Sequence, residues 1–172
     1  MALDPDSKLL AVALEDGTLR VYVGEIPVDL ATYEDLTLAG WSGLNPFVVG
    51  FTRASGSSAD DVALRCWDPL TGRAIHPATS VAGQLMRPTV ARPLGSSLAV
   101  ADADDQVLLI DVQTGEVAHT LTGHGDAVTA LAWSANGDLL ASSAADGTLI
   151  VWDVAEGHQR LRLVPPGGAQ SA

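Results

Sequence analysis

The sequence predicts an all-β protein made of about four β-propeller blades, each a sheet of four antiparallel strands. A marker position recurs at Tyr22, Trp67, Ile110 and Trp152, at intervals of 45, 43 and 42 residues, which is the spacing of blades in a propeller. Each unit also consists of short apolar runs separated by turn residues, without a stretch of helical periodicity. Repeated units of four short strands indicate propeller blades.

The repeat is clearest between the two ends of the chain. The segments Leu9–Val23 (LLAVALEDGTLRVYV) and Leu139–Asp153 (LLASSAADGTLIVWD) align without a gap at an offset of 130 residues, and they are identical at eight of fifteen positions. Two weaker copies lie between them, at Asp61–Asp68 and Asp104–Asp111. The agreement between the outer copies is greater than chance gives, so the chain is a repeat array.

The fourth unit predicts its strands most clearly. They are expected at Ala127–Trp133, Asp138–Ser143, Thr148–Trp152 and Gln159–Val164. Asn136-Gly137 and Asp146-Gly147 separate the first three, and such pairs supply the positive φ angles of tight hairpins. The blades are expected at about 1–36, 37–78, 79–121 and 122–164, with a disordered tail at 165–172. Trp41 is expected on the loop entering the second blade, in a core-packing role.

The segment Leu121–Asp153, which reads LTGHGDAVTALAWSANGDLLASSAADGTLIVWD, resembles a WD repeat. It has Gly123-His124 at its start, Asp146-Gly147 in the hairpin and Trp152-Asp153 at its end. The resemblance implies a buried structural network of His124, Ser142 or Ser143, Asp146 and Trp152. The other repeats depart from the pattern: Tyr22 and Ile110 replace the Trp, although Asp16, Asp61 and Asp104 keep the hairpin acid. The full network is therefore expected in the last blade alone.

The charge balance excludes several classes of partner. The net charge is −12 and the sequence pI about 4.4, with nine unclustered Lys and Arg residues, so binding to nucleic acid or to an anionic membrane is disfavoured. No apolar run approaches the roughly 20 residues of a spanning helix, and the N-terminus lacks the features of a signal peptide. We expect a cytoplasmic protein. Eight Arg against one Lys, in an Ala-rich chain, suggest a bacterial genome of high GC content.

No metal, cofactor or catalytic constellation is predicted. His76, His119, His124 and His158 lack zinc-ligand spacing, and Cys66 lies in an apolar stretch that favours a buried, inert thiol. Asp102-Ala103-Asp104-Asp105 lacks the glycine and the distant glutamate of a calcium loop and is expected to be a hairpin.

The blade number leaves three alternatives open. Aligned at the offset of 130 residues, Leu3 corresponds to Trp133, so the first blade is expected to lack most of its inner strand. The resemblance implies about seven blades in a closed ring. The chain is then the C-terminal part of a larger propeller, a half-propeller that pairs with itself or another chain, or an unusual four-bladed ring.

The resemblance implies a non-catalytic scaffold for protein–protein interaction, with partner-facing loops at Glu15, Gln84, Asp126 and Ala145. The negative charge favours a protein or peptide partner with a basic surface, and a homodimer that completes the ring is also expected among the partners. The identity of the partner and the biological process stay open. The alternative is a propeller enzyme or ligand-binding domain with its site at the mouth of the central channel.

Overall fold

The computed structural model describes residues 2–3, 9–23, 25–32, 37–41, 48–53, 61–75, 77–82, 88–93 and 95–164. Within these ranges the chain forms four antiparallel sheets of four strands each, which confirms the predicted fold class. No described residue belongs to a helix that is long and apolar enough to cross a membrane. The predicted tail at 165–172 lies outside the described residues.

Each sheet is built from four strands that are consecutive in sequence. The first sheet contains β1 (Ala2–Leu3), β2 (Leu9–Ala13), β3 (Thr18–Val23) and β4 (Ile26–Thr32). The second contains β5 (Thr37–Trp41), β6 (Val48–Arg53), β7 (Asp61–Trp67) and β8 (Thr79–Ala82). The third contains β9 (Thr89–Ala91), β10 (Ser97–Ala101), β11 (Val107–Asp111) and β12 (Val117–Leu121). The fourth contains β13 (Val128–Trp133), β14 (Leu139–Ala144), β15 (Leu149–Asp153) and β16 (His158–Leu163).

The strand register reproduces the sequence repeat. The four marker residues lie on the third strand of their sheets and pair with one position of the second strand; the pairs are Tyr22 with Leu10, Trp67 with Val48, Ile110 with Leu98 and Trp152 with Leu140. The second-strand residues pair in turn with Leu3, Trp41, Ala91 and Trp133. Equivalent positions in the four blades can therefore be compared directly.

The register changes two expectations. Trp41 ends the inner strand β5, at the position that Trp133 occupies in the fourth sheet, and does not lie on a loop. The boundary between the second and third blades falls after Ala82 rather than between 78 and 79, because Thr79–Ala82 pairs with β7 as an outer strand. A turn after Trp67 and an isolated bridge from Trp67 to Ala74 lengthen this connection. The short inner strand of the first blade, β1, is as predicted.

The core lies between successive sheets. One cluster joins the first sheet to Trp67 of the second, another joins Val49, Phe51, Leu64 and Cys66 of the second sheet to the third, and the last joins the third sheet to the fourth around Trp152. Stacked sheets of this kind bury apolar side chains on both of their faces. Successive side chains on a strand point to opposite faces of the sheet. Each sheet can therefore pack against the sheets before and after it, which is how propeller blades pack.

Glycines in the turns between the third and fourth strands allow the blades to approach closely. Gly72 has a φ of +68°, and a Cβ there would lie 3.3 Å from the backbone oxygen of Leu30 in the first blade. Gly157 has a φ of +67°, and a Cβ there would clash with the imidazole of His119 in the third blade. Both positions need glycine for conformation and for space.

Candidate functional site

The fourth sheet contains a chain of side-chain hydrogen bonds that crosses the blade. Trp152 Nε1 donates to Ser142 Oγ at 2.8 Å, and Ser142 Oγ lies 2.6 Å from His124 Nε2. On the other side of the imidazole, His124 Nδ1 lies 2.8 Å from Thr148 Oγ1, which donates to Asp146 Oδ1 at 2.7 Å. The chain thus runs from an indole to a carboxylate through two hydroxyls and one imidazole.

The local structure places these groups. His124 lies on the loop that enters β13, Ser142 on β14, Trp152 on β15, and Thr148 in the hairpin between β14 and β15. Asp146 Oδ2 accepts the amide of Gly125 at 3.0 Å, which ties this hairpin to the entering loop. Gly123 lies over the indole, and a Cβ there would be 3.3 Å from Trp152 Cη2.

The donors and acceptors of the chain define the tautomer of His124. An indole N–H can only donate and an ionised carboxylate can only accept. Thr148 Oγ1 gives its proton to Asp146, so it accepts from His124 Nδ1–H. His124 Nε2 is then an acceptor, and Ser142 Oγ, which already accepts from Trp152, donates to it. Every proton in the chain is used once when the imidazole is neutral.

Burial makes this arrangement energetically important. Ser142 is 1% exposed, Trp152 2% and Thr148 4%, while His124 and Asp146 are half-buried. A buried polar group without a partner costs more free energy than a hydrogen bond in water provides. Because each member satisfies its neighbours, the network fixes the entering loop to the core of the blade.

The pKa values of the two titratable members follow from their surroundings. Burial lowers the pKa of His124, although the nearby charge of Asp146 opposes this effect. Burial acts in the opposite direction on Asp146, but hydrogen bonds from Thr148 and the Gly125 amide outweigh it and lower the pKa of that carboxyl. Near neutral pH, the network therefore consists of a neutral imidazole and an ionised carboxylate.

We expect the folded state to lose stability as the pH falls below about 6.5, the ordinary pKa of histidine. His124 has a lower pKa when folded than when unfolded, so the unfolded chain binds more protons in this range. Its contribution is fully present above the unfolded pKa and is lost as the pH falls through the folded one. Urea unfolding at a series of pH values measures this effect, and His124→Gln is the control. An equal pH dependence in the variant would exclude His124 as its source.

The structure brings together four of the predicted network residues, His124, Ser142, Asp146 and Trp152. The alternative serine, Ser143, lies on the opposite face of β14 and contacts Thr129 Oγ1 at 3.1 Å. The sequence interpretation missed Thr148, which connects the imidazole to the carboxylate. Its position directly after Asp146-Gly147 gave a signal, because Asp16-Gly17-Thr18 repeats the same triplet in the first blade.

The hairpin acid of the third blade differs from the expectation. Asp104 was expected to take this role, but Asp102 accepts the amides of Asp104 at 3.0 Å and Gln106 at 2.9 Å. Asp102 is 5% exposed, whereas Asp104 is exposed. Asp105, with a φ of +62°, occupies the left-handed position that Gly17 and Gly147 take in the other hairpins. The segment is the predicted hairpin, but a different carboxylate organises it.

A second repeated feature was also missed, at the turn between the third and fourth strands. Asp68, Asp111 and Asp153 each accept backbone amides within this turn and are each followed four residues later by glycine. The glycine amide donates to the aspartate carbonyl at 2.8–2.9 Å. The first blade has Val23 here instead, and Val23 pairs directly with Ile26.

The predicted partner-facing residues Glu15, Asp126 and Ala145 are exposed, whereas Gln84 lies outside the described residues. Because the strands alternate in direction, the hairpins between second and third strands and the loops between blades lie at one end of the sheets. We call this end the hairpin end; its described loops are 14–17, 102–106, 122–127 and 145–148. They contain seven acidic residues and no lysine or arginine; the acids are Glu15, Asp16, Asp102, Asp104, Asp105, Asp126 and Asp146.

The described residues contain neither a metal-binding group of side chains nor a reactive thiol. Among the described residues no three His, Cys, Asp or Glu side chains are grouped so that they could hold a metal ion. Cys66 is fully buried between the second and third sheets, and burial raises the pKa of its thiol to about 12. A protonated, inaccessible thiol is not a nucleophile.

Comparison with known proteins gives one family match and relatives that align with part of their length. Residues 115–153 match the family described as "WD domain, G-beta repeat". WD repeat-containing protein 1 of Xenopus tropicalis is 44% identical over 66 residues, which are 37% of this chain and 11% of that protein. Autophagy-related protein 16 of Arabidopsis thaliana is 30% identical over 146 residues, covering 84% of this chain and 28% of that one. The chain thus spans a small part of these relatives.

The four sheets also superimpose on solved structures. The crystal structure of the computationally designed Ika8 protein matches with a TM-score of 0.67 and 25% sequence identity. The match covers 95% of this chain and 48% of the designed one. The arrangement of the four blades relative to one another is therefore that found in about half of a longer propeller chain.

Proposed function

Because this chain is a WD-repeat protein, we propose that it acts as a non-catalytic scaffold and presents the hairpin end of its blades to a protein or peptide partner. WD-repeat proteins bind protein partners, and their repeats generally provide interaction surfaces rather than catalytic groups. The buried network of the fourth blade supports this role, because its groups bond to one another and tie the loop at 122–127 to the core of the blade.

The observation that carries the proposal is the acidic composition of the loops at the hairpin end. Glu15, Asp16, Asp104 and Asp126 are exposed there, and the described loops contain no lysine or arginine. Arg162 of β16 reaches this end from the strand and donates to the Gly123 carbonyl at 2.9 Å, so the acids outnumber the cations there. Like charges on one surface attract a partner of opposite charge over several ångströms and orient its approach. We therefore propose a partner with a basic surface.

A lysine- and arginine-rich peptide tests this proposal by fluorescence anisotropy. The double variant Glu15→Gln, Asp104→Asn should weaken binding by about 2- to 30-fold, the effect of losing two exposed ion pairs worth about 0.2–1 kcal/mol each. The affinity of the unaltered chain should fall as salt is added. The control variant Glu116→Gln, Glu156→Gln changes the net charge equally at the opposite end and should bind like the unaltered chain. Equal weakening by both variants would contradict the proposal.

We propose in addition that the four blades form part of a larger ring. The match to 48% of a longer propeller chain supports this, as does an apolar face on the fourth sheet that no described residue covers. Further blades come either from additional sequence or from a second copy.

A further inference from the structure

The contacts between blades follow one rule along the chain. In each of the first three sheets, one face contacts the following blade, and we call it the next-blade face. At three equivalent positions lie Ala11, Leu19 and Val21 in the first sheet, Val49, Leu64 and Cys66 in the second, and Ala99, Val107 and Leu109 in the third. Leu9 belongs to the same face of the first sheet. All ten side chains are at most 5% exposed.

The next-blade face of the fourth sheet breaks this rule. The residues equivalent to the first-sheet set are Leu139, Ala141, Leu149 and Val151, and all four are partly or largely exposed. Leu161 and Leu163 pair with Val151 and Leu149, so they extend the same face; they are 48% and 52% exposed. A shallow apolar depression on this face is lined by residues that include Ala130, Ala132, Ala141 and Leu149.

The chemistry of this face favours an apolar sheet as its occupant. No charged side chain stands at the positions named above, so covering them requires no desolvation of an ion. Adjacent exposed apolar side chains on one face of a sheet are typical of interaction surfaces. Its residue types are also those that the first sheet uses to bury Trp67.

The first sheet has the complementary face, which we call the preceding-blade face. It carries Tyr22 at the marker position, where Trp67, Ile110 and Trp152 are buried by the blade before them, but Tyr22 is only half-buried. Arg20 on this face forms an ion pair with Asp29. A cation at this position is compatible with a packed interface, because the second sheet has Arg65 at the equivalent register and holds it against Thr52 Oγ1 at 3.1 Å.

We propose that two copies of this chain close a ring head to tail, so that the next-blade face of each fourth sheet is covered by the preceding-blade face of the other copy's first sheet. This inference rests on the proposed larger ring and assigns its second half. Tyr22 of one copy packs against Leu139, Ala141, Leu149 and Val151 of the other, as Trp67 packs on the equivalent residues of the first sheet. The interface continues the three already present in the chain, and two copies supply the half that the match to the designed propeller lacks.

Sedimentation equilibrium of the 172-residue chain tests the inference. The expected mass is twice the 17.7 kDa of one copy. Leu149→Asp and Tyr22→Asp should each give a monomer with an unchanged circular dichroism spectrum, because each places a charge in one half of the interface. Leu70→Asp is the control: Leu70 is 71% exposed in a turn away from both faces, and this variant should stay dimeric.

Each other outcome overturns the inference. A folded monomer or an assembly larger than two copies contradicts a ring of two halves. A Tyr22→Asp variant that stays dimeric shows that the apolar faces pair with each other and not head to tail. The peptide measurement separates this result from the scaffold proposal. A monomer that binds the basic peptide contradicts only the dimer. A dimer that does not bind the peptide contradicts only the scaffold proposal.

Discussion

We expect Trp152→Ala to lower the free energy of unfolding by about 3–5 kcal/mol, as truncation of a large buried aromatic side chain does. Trp152 is 2% exposed and packs with Leu121, Leu140 and Ile150 in the cluster between the third and fourth sheets. Its loss leaves a cavity in this cluster and removes the donor that begins the hydrogen-bond chain at Ser142. Urea unfolding monitored by circular dichroism measures the change.

Two further variants separate packing from hydrogen bonding. Trp152→Phe retains an aromatic ring but has no N–H, so we expect a smaller loss of about 1–2 kcal/mol. Leu70→Ala truncates an apolar side chain that is 71% exposed in a turn, and it should cost less than Trp152→Ala. If Trp152→Ala cost no more than Leu70→Ala, the indole would not be a principal contact between the last two blades.

The second large effect is expected from Ser142→Ala, at about 2–3 kcal/mol. This hydroxyl accepts from Trp152 Nε1 and donates to His124 Nε2, so its removal leaves two polar atoms without their partner. Each such atom costs about 1–3 kcal/mol when buried, and the half-buried position of His124 reduces its share. Unfolding of the variant under the conditions used for Trp152→Ala gives the comparison.

The neighbouring serine provides a matched control. Ser143 has the same side chain on the same strand but lies on the opposite face, where Thr129 is its hydroxyl partner. We expect Ser143→Ala to change stability by less than about 0.5 kcal/mol, as surface substitutions usually do. Equal losses from the two variants would mean that the hydroxyl of Ser142 has no special role.

The sequence predicted the repeat and most of the network because both depend on residue type at fixed spacing. The fifteen-residue match between the first and fourth units gave the correct register, and the four markers pair as it required. Residue type alone does not distinguish Ser142 from Ser143. The register distinguishes them, since Ser142 shares the Trp152 face of the sheet.

Other features depend on local geometry that residue type does not determine. Asp102 and Asp104 both lie near the third hairpin, and the left-handed conformation of Asp105 accompanies the choice of Asp102. The second blade ends later than the spacing suggested, because the bridge from Trp67 to Ala74 delays β8. The tautomer of His124 follows from which groups surround Thr148, and this requires distances rather than sequence.

Each sheet in the described part of the chain consists of four strands that are consecutive in sequence, and no strand is shared between sheets. A tandem duplication or deletion of one unit in the gene therefore adds or removes a whole sheet and leaves no strand without its pairing partners. The first sheet of such an array still exposes a preceding-blade face, and the last sheet still exposes a next-blade face, whatever the number of sheets between them. Descendants with more or fewer blades can thus arise in single genetic steps, and each would inherit the same capacity to join further blades.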